Sequence, residues 1–292
     1  MSIIPFDDRD GWIWFDGKML PWREAKVHVL NHGLHYASSV FEGERAYNGK
    51  IFKSRQHSER LIKSADFLGM RIPFTAEQLC AAKEEVRVKN NLTDAYFRPI
   101  AWRGSEQMGI YVKGVTTHVA IAAWEWPSYY SEEKYNNGIN ANLETHWRKP
   151  APNTAPSHSK AGALYAVNTM VKTNSVEKGF DEAIMLDYRG YLAEASSANI
   201  FLIMEDGTIH TPIPDCFLNG ITRLTIIDLA RELGYEVTER VIMPEELNDA
   251  KEVFITGTAA EVTPIGKIDD KTYTVGETTK AIRTAYEKLV RN

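Results

Sequence analysis

The chain holds only two cysteines in 292 residues, Cys80 and Cys216, far apart and outside any CxxC spacing. That excludes a disulfide scaffold and a cysteine-rich zinc site, and it makes the cytoplasm the expected compartment. Both cysteines read as buried small side chains. No apolar run approaches the ~20 residues that span a bilayer, so no membrane partner is expected. The first ten residues lack a basic start and an apolar core, so no secretory leader is expected. Charge of one sign is also scarce. The formal net charge is −5 and the lysines and arginines are scattered, which gives no electrostatic footprint for nucleic acid. GxSxG, P-loop and GxGxxG motifs are missing as well.

What is present is an ordinary globular balance, 43% hydrophobic and 25% charged, long enough for one large core or two medium ones. The first third reads as strands followed by helices. Strands are predicted at 12–15 and 26–30, the first followed by a turn at Asp16-Gly17-Lys18. A hairpin is predicted from Val40–Tyr47 to Ile51-Phe52, because Asn48-Gly49 supplies the positive φ angles of a type I′ turn. Ser54 is the expected cap of a helix running to about Leu68, and a second helix covers roughly 76–89. Strands at 96–102 and 117–124 close this half.

Residues 127–138 turn Ser-, Tyr- and Glu-rich and read as an interdomain linker, dividing an N-terminal α/β domain at 1–126 from a C-terminal one at 139–292. The second half opens with a strand and a proline-stiffened loop, 149–160, then a helix over about 162–178. Strands follow at 182–187, 191–193, 198–205 and 209–211, a helix at 221–233, a strand at 253–256 and a last helix near 275–290. The architecture expected is α+β in two domains, with the ligand site between them.

Lys160 carries the most chemistry. It lies at the entrance of a helix, where the helix field and partial burial both disfavour an ammonium and expose a nucleophilic amine. A solvated lysine would show the same spacing. Two candidate anion sites strengthen the case. Gly220 opens a helix and leaves the amides of Ile221 and Thr222 for a phosphate, and Thr256-Gly257-Thr258-Ala259 is small enough to expose backbone amides. A phosphate beside a reactive lysine suggests pyridoxal 5'-phosphate. Glu194, between two strand segments, could keep a pyridine nitrogen protonated, or could simply end a hairpin in water. His28, His32 and His35 fall in strand and loop with no aligned face, so no metal is expected.

Taken in order, these residues resemble the fold-type IV pyridoxal-phosphate enzymes, and within them the branched-chain amino acid aminotransferases. The matching pieces are the segment 35–43, His57-Ser58-Glu59-Arg60-Leu61, Tyr96-Phe97-Arg98-Pro99, Ser159-Lys160 with Tyr165, Leu192-Ala193-Glu194 with Asn199, Gly220-Ile221-Thr222-Arg223 and 257–261. The resemblance implies a two-domain fold with the active site between the domains, and an amino transfer from leucine, isoleucine or valine to 2-oxoglutarate. It implies Lys160 as the Schiff-base lysine and proton shuttle, Glu194 at the ring nitrogen and Tyr165 at the phenolic oxygen. Arg60, the Ile221 and Thr222 amides and Thr258 form the implied phosphate cup, with Asn199, Leu218 and Gly220 also at the cofactor. Tyr96 with the Thr258 and Ala259 amides would hold the substrate α-carboxylate. Tyr36, Phe41, Trp126 and Tyr129 would wall the side-chain pocket, and Arg98 would meet a glutamate side-chain carboxylate.

Two departures stand out, Ala195-Ser196-Ser197-Ala198 in place of a Gly-rich stretch and a more polar Trp102-Arg103-Gly104-Ser105. A D-amino acid or (R)-amine transaminase, an aminodeoxychorismate-lyase-like enzyme and a degenerate binding protein are the alternatives. The implied partners are amino acids and 2-oxo acids, and the implied assembly is a homodimer or a higher homo-oligomer.

Overall fold

The computed structural model describes residues 4–126 and 129–292. Contacts divide the chain into two units, Met1–Pro127 with Ser159–Ala163, and Ser128–His158 with Leu164–Asn292.

The first unit contains β1 (Trp12–Phe15), β2 (Lys18–Pro21), α1 (His32–Tyr36), β3 (Ser39–Phe41), β4 (Glu44–Tyr47), β5 (Lys50–Ile51), α2 (Ser54–Phe67), α3 (Ala76–Lys89), β6 (Ala95–Arg103) and β7 (Thr117–Glu125). Its strands form an antiparallel sheet in the order β2-β1-β7-β6-β4-β5, with β3 also on β6. The turn residues read from sequence are in place: Asp16 and Gly17 have φ of 47° and 90°, and Asn48 and Gly49 have 49° and 80°. The single strand expected over Val40–Tyr47 is instead two, because β3 pairs with 100–102 of β6 and β4 with 95–97. Pro99 explains the break. It has no N–H for the ladder, so the chain opposite it buckles at Glu42-Gly43, where Glu42 N donates to Pro99 O at 2.8 Å. Gly43 is required there, since a Cβ would lie 2.1 Å from the Tyr96 hydroxyl.

Helix α3 starts with a reciprocal capping box between Thr75 and Gln78 and buries Leu79, Ala82 and Val86. Helix α2 buries Leu61 and Ala65. Ser54 is not its cap; Lys53 occupies that position in the left-handed region, and the Ser54 hydroxyl donates to Cys80 Sγ at 3.4 Å. Residues 26–30 form no strand, and His32 and His35 lie in the short helix α1 rather than in extended chain. The Asn31 side chain accepts the Gly33 amide there, a local cap that overrides the alternating pattern.

The second unit contains α4 (Glu132–Asn137), β8 (Ile139–Lys149), α5 (Tyr165–Glu177), β9 (Glu182–Asp187), β10 (Leu192–Ala195), β11 (Asn199–Met204), β12 (Ile209–Pro212), α6 (Ile221–Glu232), β13 (Val237–Arg240), β14 (Ala250–Gly257), β15 (Glu261–Ile268), β16 (Lys271–Thr272) and α7 (Glu277–Arg291). The sheet order is β10-β9-β8-β15-β14-β11-β12-β13, with β16 on β15. One face packs Ile184, Ile200, Leu202, Val253, Ile255 and Ile265 into a core. On the other, Phe201 and Phe254 stack at 4.9 Å. Strands β13, β15 and β16 go beyond the sequence expectation. Of the stretch 127–138 expected as a linker, residues 127 and 128 lie outside the described residues and 132–137 form α4, capped by Ser131.

The segment carrying Lys160 is expected with the second domain, yet its contacts place it in the first unit. The cause is backbone and hydroxyl pairing. Ala161 bridges Val40, Phe41 N donates to Lys160 O at 3.1 Å, and Ser64 both accepts from Lys160 N and receives the Ser159 hydroxyl at its carbonyl.

The first unit also buries an ion pair, Lys83 Nζ to Glu44 Oε2 at 2.7 Å, both side chains almost wholly out of water. Burial pushes the Glu44 carboxyl up and Lys83 opposes it. Removing only the cation strands the carboxylate, so Lys83→Met should cost about 3–5 kcal/mol of unfolding free energy in urea. Adding Glu44→Gln to that variant should recover part of the loss. Equal losses in the single and double variants would contradict a coupled pair.

Candidate active site

The chemistry of the first unit gathers at Glu42-Gly43, the kink that Pro99 imposes. Glu42 is fully buried. Its carboxylate takes Arg60 Nε at 2.7 Å and Nη2 at 2.8 Å, a two-pronged pairing, and lies 2.7 Å from His57 Nδ1. Arg60 and His57 are one turn apart on α2, so one helix face delivers both. Burial alone would raise the Glu42 carboxyl, but Arg60 and then His57 outweigh it and hold it well below the usual carboxylate range.

Lys160 is set beside this cluster by the pairing of Ala161 with Val40. Its ammonium lies 5.0 Å from the Phe41 ring centroid. Burial lowers its pKa, and Arg60 and Arg98 lower it further. Glu42 and Tyr96 work the other way, and the amine settles at about 8. A helix start is not the main cause: Lys160 precedes a 3-10 turn at Gly162–Leu164, and burial leads the shift.

Around the lysine stand Tyr96 and Arg98, with Trp126 packed on Tyr96. Alternation along β6 puts Tyr96 and Arg98 on one face, and Arg98 Nη2 donates to the Tyr96 hydroxyl at 3.1 Å. The guanidinium lies over Phe41 at 4.8 Å and over Tyr96 at 5.3 Å. Tyr96 packs against Trp126 at 5.2 Å and Trp124 at 5.3 Å. Arg98 Nε is buried with no hydrogen-bond partner among the described residues. Phe41, Tyr96, Arg98, Trp126 and Lys160 are therefore brought together. Tyr36 is half-exposed and packs on His32 at 4.6 Å. The three histidines serve local structure: His32 bonds Ser38 and the Gly109 carbonyl, His35 bonds the Val29 carbonyl, and His28 accepts from Leu30 N.

In the second unit Glu194 is buried on β10 rather than hydrated at a hairpin end. One carboxylate oxygen meets Lys149 Nζ at 2.8 Å, and the other accepts from Asn199 Nδ2 at 3.1 Å. Asn199 also donates to the Leu218 carbonyl at 3.1 Å, tying β11 to the loop before α6. Gly220 caps α6 without a side chain, and a Cβ on it would lie 2.2 Å from Asn199 Oδ1. The amides of Ile221 and Thr222 follow, in the turn where a helix leaves its N–H groups without internal partners. Arg223 anchors this turn from below, fully buried and bonded to Asn219, Pro212 O, Thr211 and Glu239.

Thr256 pairs in register with Asn199 across β11 and β14. Its hydroxyl is buried with no hydrogen-bond partner among the described residues. Thr258 and Ala259 lie in the turn from β14 to β15, and Tyr165 opens α5. Tyr129 packs on Tyr130 at 4.7 Å and is half-exposed. Sequence reasoning gave no role to Glu42, His57 or Lys149. Their signals are weak but present: an acid inside an apolar strand pattern for Glu42, and a lysine closing a long strand before Pro150 for Lys149.

Comparison with known proteins adds a family context. A family model for Amino-transferase class IV matches residues 39–268. A probable branched-chain-amino-acid aminotransferase of Rickettsia felis is 43% identical, over 92% of this chain and 91% of that protein. The crystal structure of the Escherichia coli branched-chain amino acid aminotransferase superposes with a TM-score of 0.93 at 40% identity, covering 97% of this chain and 95% of that one. The T.th. branched-chain amino acid aminotransferase complexed with N-(5'-phosphopyridoxyl)-L-glutamate gives 0.91 at 37% identity, again covering 97% and 95%.

The depressed amine is directly measurable. Competitive acylation of the cofactor-free protein, read by peptide mass at Lys160, should give a midpoint near 8. Glu42→Gln removes a charge that raises it and should move the midpoint lower; no movement would show that the carboxylate is not felt. The sign for stability follows. Burying the ammonium costs stability below about pH 8, and that cost fades as pH rises toward the ordinary 10.5.

Proposed function

The chain belongs to the class IV aminotransferases, and we propose that it moves the amino group of leucine, isoleucine and valine to 2-oxoglutarate with pyridoxal 5'-phosphate as cofactor. The products are the branched-chain 2-oxo acids and L-glutamate. The observation that carries this reading is one cluster in the first unit: an amine at about 8 beside an aromatic wall and one guanidinium whose buried Nε has no partner among the described residues.

The residues suit the cofactor. A neutral amine is what its aldehyde requires, and the buried Thr256 hydroxyl, in register with Asn199, has no partner among the described residues. When bound, pyridoxal phosphate supplies an electrophilic carbon for amines and a ring that withdraws the electrons released when the substrate Cα–H is deprotonated. Lys160 would hold it, then take the Cα proton at Nζ and return it one position away. Glu194 would hold a proton at the ring nitrogen, and Tyr165 would donate to the phenolic oxygen. Arg60, the Ile221 and Thr222 amides and Thr258 would bind the phosphate, with Asn199, Leu218 and Gly220 shaping its surroundings.

For the substrate, Tyr96 and the amides of Thr258 and Ala259 would bind the α-carboxylate. Phe41, Trp126, Tyr36 and Tyr129 would favour aliphatic side chains by excluding water. Arg98 would pair with the γ-carboxylate of glutamate or 2-oxoglutarate. One site thus accepts an apolar and an acidic substrate in turn, so the kinetics should be ping-pong. The reading includes a homodimer or higher homo-oligomer in the cytoplasm, supported by exposed apolar side chains at Val29, Leu34, Ile110 and Tyr111. Among the described residues no helix is long and apolar enough to cross a membrane.

Purified holoenzyme should be yellow, and Lys160→Ala should lose both the colour and all turnover. Leucine should outperform D-alanine and an (R)-arylamine as donor to 2-oxoglutarate; preference for either of the latter would overturn the substrate assignment. Arg98→Leu should raise KM for 2-oxoglutarate by roughly 10- to 100-fold, the value of a charge-assisted bond, while leaving KM for leucine within about threefold. A parallel rise in both would remove Arg98 from the γ-carboxylate. Light scattering at micromolar protein should give at least a dimeric mass.

A further inference from the structure

Lys149 has no place in the mechanism so far, yet it makes a close charged contact with Glu194. Its ammonium lies 2.8 Å from Glu194 Oε1 and 3.1 Å from Asn168 Oδ1, with the lysine 5% exposed. Asn168 lies on α5, one turn beyond Tyr165. The backbone departs from regular pairing at both members of the ion pair. The β8–β9 ladder shifts register between Glu144 and Lys149, and the β10–β9 ladder shifts between Leu192 and Glu194. Such irregularities re-aim side chains, and here two of them serve one ion pair.

Stability does not account for the arrangement. The cost of desolvating a buried lysine and glutamate roughly cancels their attraction, and apolar residues would hold the strands as well. Several other charges on the packed elements have partners of their own. On β9, Asp187 is bonded by Arg189 and Glu182 by Lys172 of α5. On β8, Glu144 accepts the amides of His146 and Trp147, and His146 and Arg148 are exposed; β15 contributes Glu261 and Lys267.

We propose that Lys149 is a positioning residue that fixes the Glu194 carboxylate and weakens its negative field, so setting how tightly a proton is held on the cofactor's ring nitrogen. This rests on the reading of Glu194 as the ring-nitrogen partner. A lone buried carboxylate presents a full charge, and charges interact strongly where water is excluded. With an ammonium at 2.8 Å the pair is net neutral and presents a dipole instead. Every cationic centre on the bound cofactor then meets a weaker field than Glu194 alone would give. Loss of the lysine charge therefore raises the proton affinity of the bound chromophore.

The test uses holoenzyme and reads the pH midpoint of its visible absorbance change, with cofactor affinity and a KM-against-kcat split alongside. Lys149→Gln keeps a donor toward Glu194 but removes the charge, and should raise the midpoint by roughly one pH unit, the scale of a single changed neighbour. Lys149→Arg should return it to the wild-type value. A Gln variant with the wild-type midpoint would overturn the proposal and leave Lys149 as a strut. Should the Gln variant not fold, Lys149→Met carries the same expectation and the same refutation. Glu194→Gln separates the underlying reading. If it leaves the chromophore's titration and kcat unchanged, Glu194 is not the ring partner. If it moves both while the lysine variants do not, only the role of Lys149 fails.

Discussion

A buried carboxylate organises the first unit. Glu42 sits where Pro99 interrupts the ladder, and a negative charge with no water needs cations. Arg60 grips it with two nitrogens and His57 approaches from the same helix face, so α2 is pinned to the sheet at its chemically active point. Lys160 then enters a field already set. Arg60 and Arg98 discourage a third cation, Glu42 tempers them, and burial decides the balance in favour of an amine that is readily neutral. Taking away the proline, the carboxylate or the arginine would alter each of the others.

The parts of the fold that were legible in the sequence are those with local causes. Asn48-Gly49 announces a turn because few other pairs tolerate two positive φ angles, and α3 announces itself through its cap and apolar spacing. The parts that were not legible depend on distant partners. The alternation at 26–30 looks like a strand, but no neighbour offers it a ladder, and Asn31 starts a short helix instead. The break at Glu42-Gly43 is written at Pro99, more than fifty residues away. Ser54 looks like a cap, yet Lys53 takes that position.

The site follows the same division. Lys160, Glu194 and the Gly220 helix start could be singled out because each needs a particular residue type in a particular local setting. What tunes them could not. Glu42 to Arg60 and Lys149 to Glu194 are pairs created by folding, eighteen and forty-five positions apart, and nothing local marks them as partners. The cause assigned to the Lys160 amine shifts for the same reason: the helix entrance is local, whereas the burial that leads the shift and the guanidiniums of Arg60 on α2 and Arg98 on β6 are supplied by folding.

The short stretch Ser159–Ala163 has a consequence for how the chain is made. It belongs by contact to the first unit, but the ribosome delivers it only after β8 of the second. Domains tend to fold in order of synthesis, and here the earlier one must wait. Val40 lacks its bridge to Ala161, and Ser64 its two bonds, until residue 161 has emerged. The bonds at Val40 and Ser64, and the burial of the Lys160 amine, can therefore be completed only after β8 of the second unit has been synthesised.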